Sequence, residues 1–294
     1  MSKKNRSSVM FTPLFTAALI VLSLIILLTL FANFIAPYDP DMIDLGQALQ
    51  GSSAKHLFGT DQVGRDLFSR ILFGGRTTLL GALGIVIVSV VIGVPLGMFA
   101  GYYRGWFDTL VLRISDIIIS FPSLLLAFVF VAGFGRGLMN SVIAIGIIYV
   151  PMTAKLMRSM VMMEMNKTYV EAARSIGYSS VRILFLEILP NCISTLMAQL
   201  TLDIGYAILD LAAMSFIGLG VQPPTSDWGA MLEEGRVMLF SDPGLAILPG
   251  LAIVITVIAI NLVSDGVQRY LDPAQRKVLS VRKLKKMGRI QYDE

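Results

Sequence analysis

Charge, cysteine and histidine are all scarce in this chain of 294 residues. Charged side chains make up 15% of it, against about a quarter in soluble globular domains, which excludes a water-facing surface over the whole molecule. Cys192 is the one cysteine, so no intramolecular disulfide and no cysteine-based metal site can form within one chain. His56 is the one histidine, which removes histidine-pair zinc sites and histidine proton relays. No Gly-x-x-x-x-Gly-Lys-Ser/Thr loop is present, and Gly74-Gly75-Arg76-Thr77 has neither the spacing nor the lysine to cradle phosphates. A Gly-x-Ser-x-Gly elbow is missing too, and a histidine-dependent triad would have only His56 to use. The chain reads as a non-enzyme, with no catalytic, cofactor-binding or metal-binding residue assigned to it.

What is present is apolar: 55% of the residues are hydrophobic and the mean hydropathy is +0.74. An excess of this size needs a bilayer to hold it. A span needs roughly 20 helical residues to cross about 30 Å of hydrocarbon. Six runs qualify: Phe11–Ile35, Thr77–Ala100, Ile114–Phe134, Leu138–Arg158, Ile193–Gly220 and Leu245–Ser264. The expected fold is therefore all-α and polytopic, with six transmembrane helices. Gly81, Gly84, Gly93 and Gly97 give the second span small faces for close helix packing. Pro122, Pro151 and Pro249 fall in or near spans, where kinks are tolerated. The first apolar run, although preceded by Lys3, Lys4 and Arg6, is longer than the 7–15 residues of a signal peptide and reads as a retained span.

Charge placement sets the expected topology. With six spans and both termini inside, 18 of the 24 lysines and arginines fall on the inner side, and only Lys55, Arg65, Arg70, Arg76, Arg136 and Arg236 fall outside. That threefold excess obeys the positive-inside rule. The basic tail beyond Asp272-Pro273 lacks interleaved aromatics and follows directly on a span. It reads as a lipid-facing or solvated segment rather than a nucleic-acid arm. A segmentation follows: residues 1–76 as first span plus external segment, 77–266 as membrane core with a cytoplasmic loop at 159–190, and 267–294 as the tail.

That loop is the most informative stretch. Thr168 and Glu171 have capping-box spacing, which predicts a helix start at Thr168. Gly177 suits the left-handed position that ends a helix. Ser180 is placed to cap a second short helix, which Pro190 should end before the fifth span. Ala172 and Ala173 leave one face of the first helix thin, open to close approach by another surface. An ordinary capped hairpin would explain these features equally well.

Outside, Asp61 to Gly75 reads as an amphipathic helix with Val63, Leu67, Phe68, Ile71 and Leu72 on one face. Asp61–Arg65 and Asp66–Arg70 are i, i+4 pairs on it. It reads as a helix lying along the outer membrane surface, as a docking element, or as both. Trp228, in a second external piece, reads as an interfacial anchor. In the fifth span Asp203 and Asp210 lie seven apart and share a helix face. They either line a polar path that favours cationic groups or pair with polar groups on neighbouring helices. Asp116 is read as interfacial, and the methionines from Met157 to Met165 as core or interface filling.

Glu171-Ala172-Ala173, Gly177 after three residues, and Leu189-Pro190 after a further eleven resemble the EAA loop of ABC import permeases. Glu187 departs from that pattern, standing where an aliphatic residue is usual, at a position outside the docking helix. The segment His56–Arg70 and the stretches Phe121–Leu126, Ser215–Gly220, Pro223–Met231, Asp265-Gly266 and Leu271–Pro273 are similar to the C-type permease subunits of bacterial peptide and nickel importers, in the same order. The resemblance covers about residues 37 to 273. It implies a type I ABC importer permease fold in the bacterial inner membrane, paired with a paralogous B-type permease. Two separate ATPase subunits and an external substrate-binding protein are further implied partners; membrane lipid is a contact, and nucleic acid is not.

The resemblance also assigns roles. Thr168, Glu171, Ala172, Ala173, Gly177, Leu189 and Pro190 would couple to the ATPase. Asp61, Arg65, Asp66 and Trp228 would belong to the face that receives the binding protein. Asp203 and Asp210 are the candidate path residues. Di- and oligopeptides lead as substrates. Nickel or a metal–metallophore complex is the alternative, because Thr201–Gly205 leading to Met214–Phe216 is similar to nickel-type permeases. An ion-coupled secondary transporter would need paired repeats and ionisable relays, which the sequence does not display.

Overall fold

A computed structural model describes residues 13–271; Lys3, Lys4, Arg6, Phe11 and the basic stretch 272–294 lie outside the described residues. Every named element in it is helical, beside one isolated bridge between Thr60 and Asp66. The main helices are α1 (Pro13–Leu30), α2 (Leu67–Tyr103), α3 (Gly105–Ile119), α4 (Ser123–Phe134), α5 (Leu138–Glu164), α6 (Thr168–Ser175), α7 (Leu189–Phe216), α8 (Trp228–Arg236) and α9 (Gly244–Leu271). Among the described residues five helices are long and apolar enough to cross a membrane, and six spans result if α3 and α4 are counted as one bent span.

Three expectations change here. The third span is broken: α3 and α4 meet at 91° across residues 120–122. Pro122 has no N–H to continue α3, and Ser120 turns its hydroxyl back onto the Ile117 carbonyl at 2.7 Å, which closes the first helix. The external helix at 61–75 is not separate either. Residues 61–65 form a turn in which Asp61 accepts from the Val63 and Arg65 amides, and a helix of 37 residues starts at Leu67 and runs unbroken into the second span. Asp66 is its N-cap, accepting from the Ser69 amide at 2.8 Å and the Ser69 hydroxyl at 2.7 Å. The segment boundary drawn at residue 76 therefore falls inside one helix. So does the boundary at 266, inside α9.

Tight packing of α2 on α5 forms the centre of the fold, as the glycine pattern predicts. A methyl group at Gly101 would sit 2.8 Å from the Arg158 carbonyl oxygen, and one at Gly93 would sit 2.8 Å from Thr153 Cβ. The backbones approach closely because no side chain intervenes. Ser89 and Thr153 use that proximity to share a hydrogen bond of 2.5 Å. Met157 and Met160 are buried in the same core, whereas Met163 is exposed. At the α3 end, Arg158 grips Asp108 through Nε and Nη2, and Lys155 reaches Asp116 at 2.6 Å. Both pairs tie the first half of the bent span to α5.

Candidate functional site

The long helix α2 connects two ends of the molecule about 55 Å apart, at 1.5 Å per residue. At its C-terminal end sits the loop that resembles a coupling loop. Helix α6 starts at Thr168, as expected, but its cap differs. Lys167 is the N-cap and offers only its backbone carbonyl, and Thr168 is the first helical residue, so no capping box forms with Glu171. Glu164, at the end of α5, holds the entry instead: it accepts from Lys167 Nζ at 2.5 Å and from the Tyr169 hydroxyl at 2.7 Å. Those bonds bring the chain into helical geometry one residue early.

The far end of α6 follows the expectation. Gly177 has φ +88°, the Tyr178 amide donates to the Ala173 carbonyl, and the Gly177 amide donates to the Arg174 carbonyl. This is a Schellman closure, and it needs the glycine. Val170 and Ala173 face inward and are buried; Thr168, Glu171, Ala172, Ser175 and Ile176 are exposed. The thin face thus carries one alanine inward and the other outward. Arg174 lies over the Tyr102 ring, 5.4 Å from its centre, and so attaches α6 to the end of α2.

The second short helix begins one residue earlier than expected, with Ser179 as cap, and Pro190 does not end it. The chain passes through a π-helical stretch, Ile183–Ile188, straight into α7. The wider turn lets the Leu189 amide bond the Leu184 carbonyl five residues back, and Pro190 becomes an early residue of α7. Asn191 donates to the Glu187 carbonyl at 2.7 Å. Leu189 is half-buried and Pro190 exposed at this junction.

The opposite end, at the start of α2, is an ion network beside a cavity of about 250 Å³ lined by Asp61, Arg65, Arg70 and Glu234. Asp61, Arg65, Asp66 and Trp228 are all buried, so their side chains build this face rather than project from it. Asp61 binds Arg65 Nε at 2.6 Å and Arg70 at 2.5 Å. Glu234, from α8, binds the same two arginines at 3.0 and 2.6 Å. Burial resists ionisation of Asp61, but the Arg65 amide and the Arg70 and Arg65 guanidiniums outweigh it and hold the carboxyl below its ordinary range. Asp66 pairs with His56 at 2.9 Å rather than with Arg70, because its other oxygen caps α2. Trp228 is not an interfacial anchor. Gly75 leaves room for its ring, and its indole N–H donates to the Ile71 carbonyl at 2.9 Å. Asp227 caps α8 and accepts from the Ser215 hydroxyl at 2.5 Å; burial pushes its carboxyl upward despite those donors.

Between the ends lies a cavity of about 680 Å³, open on one side and walled by the α3–α4 break, α5 and α7. Asp203 and Asp210 both line it, and Asp210 also pairs with a polar group on the neighbouring α5, so features of both sequence alternatives are present. Each is half-buried with one partner: Gln199 donates to Asp203 at 2.9 Å and the Tyr149 hydroxyl donates to Asp210 at 2.8 Å. Sequence reasoning missed Tyr149, Gln199 and Glu234 as site residues. Tyr149 and Glu234 reach partners 61 and 164 residues away, beyond any local spacing rule. Gln199 stands four residues before Asp203 and was open to discovery by helical spacing.

Two family models match the chain. One is the binding-protein-dependent transport system inner membrane component, over residues 93–277, and the other is the N-terminal TM domain of oligopeptide transport permease C, over residues 12–51. Among curated proteins, the chain is 44% identical over 261 residues to the di/tripeptide transport system permease protein DppC of Pseudomonas aeruginosa, covering 87% of this chain and 86% of that protein. It is 44% identical over 259 residues to the glutathione transport system permease protein GsiD of Escherichia coli, covering 88% and 85%. A solved structure of the inward-facing MetNI methionine ABC transporter matches with a TM-score of 0.59 at 18% identity, over 70% of this chain and 98% of that one. At that identity the match speaks for the fold.

Proposed function

The chain belongs to the family of binding-protein-dependent transport inner membrane components, as a multi-pass permease subunit of an ABC importer, and from that premise we propose how it works and what it carries. It pairs with a paralogous permease, and the two enclose a path for di- and oligopeptides across the inner membrane. Two separate ATPase subunits drive the path, and an external binding protein loads it. Both termini lie in the cytoplasm. The functional units are the external segment up to residue 76, the core 77–266 with its loop 159–190, and the tail.

One observation carries the coupling role: α6 is held rigidly from inside and bare on the outside. Glu171, Ala172, Ser175 and Ile176 are exposed, while Val170, Ala173, the glycine closure and Arg174 on Tyr102 fix the helix to the membrane core. A partner that moves α6 therefore moves the ends of α2 and α7. Thr168 and Gly177 bound the helix, and Leu189 and Pro190 join the π-helical stretch after it to α7. On the outer face, Asp61, Arg65, Asp66 and Trp228 set the shape that receives the binding protein.

Short peptides are the favoured cargo because both curated relatives are named for them: di/tripeptides and glutathione, itself a tripeptide. Neither of these relatives is named for nickel.

The test is co-purification followed by reconstitution with the binding protein. An ATPase subunit should travel with the wild-type chain. Glu171→Ala and Gly177→Val should lower peptide uptake at least tenfold while ATP hydrolysis continues. Undisturbed coupling in both variants would overturn the role given to α6.

A further inference from the structure

The membrane cavity has an electrical property that its position alone does not explain. It is lined by two carboxylates, Asp203 and Asp210, and no lysine, arginine or histidine lines it among the described residues. The two sit about 10 Å apart along α7, seven residues at 1.5 Å each, on one face. Gln199 and Tyr149 each occupy a single oxygen, Asp203 Oδ1 and Asp210 Oδ2. The remaining oxygen of each has no hydrogen-bond partner among the described residues. Asp61, Glu234 and Asp108 are paired with guanidiniums, and the buried Asp66 and Asp227 each engage several donors, His56 and Ser69 at the one, Ser215 and the Ala230 amide at the other. The nearby Lys155 is spent on Asp116 and does not line the cavity. Carboxylates that face an open cavity without a countercharge favour a cation as partner. The rest of the wall suits an organic cation better than a bare ion, because it offers Tyr206, Tyr149 and Phe121 rings beside apolar side chains.

We propose that this cavity is a binding station for primary ammonium groups, at which the free amino terminus of the transported peptide is held by Asp203 and Asp210 in turn. The proposal rests on the peptide-path reading and adds to it a chemical requirement: the cargo carries a free ammonium group. Two carboxylates about 10 Å apart on one helix face offer that single group two successive stations along α7. Tyr149 and Gln199 act as positioning residues, fixing each carboxylate by one hydrogen bond and leaving its second oxygen for the ligand.

Met152 lines the cavity and is 65% exposed, which makes it the reporter position. In the assembled transporter, with the buried Cys192 replaced by alanine, Met152→Cys is reacted with a cationic aminoethyl and an anionic sulfonatoethyl methanethiosulfonate. The ratio of cationic to anionic rate should fall about tenfold on adding Asp203→Asn and Asp210→Asn together, as expected for removing uncompensated charge within several ångströms. Uptake of dialanine should fall by a similar factor in the Asn pair and persist in the pair Asp203→Glu and Asp210→Glu, with the binding protein unchanged throughout. If both reagents react but the ratio does not move, the cavity carries no net negative charge, and the ammonium station is wrong while the path stands. If neither reagent reacts, the cavity is closed to water and the path reading itself fails. Full dialanine uptake by the Asn pair would also overturn the station.

Discussion

The cap at the start of α2 and the cavity beside α7 both take carboxylates out of bulk water and treat them in opposite ways. In the cap, Asp61 and Glu234 share Arg65 and Arg70, all four groups meet within 3.0 Å, and Trp228 seals the side against Gly75. In the cavity, Asp203 and Asp210 keep one neutral partner each and face open volume. A closed ion network fixes shape, because removing any one member strands the others. An open carboxylate fixes nothing and is therefore available to something that passes. The difference separates charge spent on building the protein from charge left open on a cavity wall.

The most direct way to break this comparison is Arg70→Met. It strands Asp61 and Glu234 against Arg65 alone and should cost about 3–5 kcal/mol, read as a large fall in the thermal stability of the purified complex. The Asn pair at 203 and 210 should cost under about 1 kcal/mol while changing reagent selectivity and uptake. Stability losses in the reverse order would overturn the distinction. A smaller effect should separate packed from open space. Gly75→Ala puts a methyl group about 2.6 Å from the Trp228 ring and should destabilise by about 1–3 kcal/mol. Met152→Phe extends into the cavity and should leave melting unchanged while it slows uptake. The smallest effect is acid loosening of the cap. The Asp61 carboxyl is depressed in the fold, so its contribution is present above the ordinary carboxylate value near 4 and fades as pH drops through the lower folded value. Trp228 emission in a Trp106→Phe variant should shift red as the pH is lowered from 6 to 3, and Asp61→Asn should remove that part of the transition. An identical acid curve in both proteins would remove Asp61 from the account.

The legibility of these regions in the sequence differed for a physical reason. Hydropathy marks spans because the bilayer acts on every residue of a run alike, and five of the six runs became single long helices. The third did not, since Pro122 broke it within an otherwise apolar stretch. Glycine spacing marked the contact of α2 with α5, and Gly177 marked the end of α6, because each requirement is local to the backbone. Thr168 misled, because the spacing of a capping box says nothing of Glu164, which enters from the preceding helix and takes control of the turn. Asp61, Asp66 and Trp228 were placed on the outer surface by spacing and by residue type. Asp61 is buried where Glu234 of α8 closes on the same two arginines, Asp66 lies against His56, and Trp228 packs against Gly75.

By itself the sequence determined that this is an all-helical membrane protein, where its spans fall, and that it carries the loop by which such permeases are recognised. These are consequences of composition, periodicity and short-range backbone geometry, which neighbouring residues settle among themselves. Only the tertiary structure decided which charges are spent and which are free. That outcome depends on whether a distant arginine arrives beside a given carboxylate: at Asp61 two do, and at Asp203 and Asp210 none does.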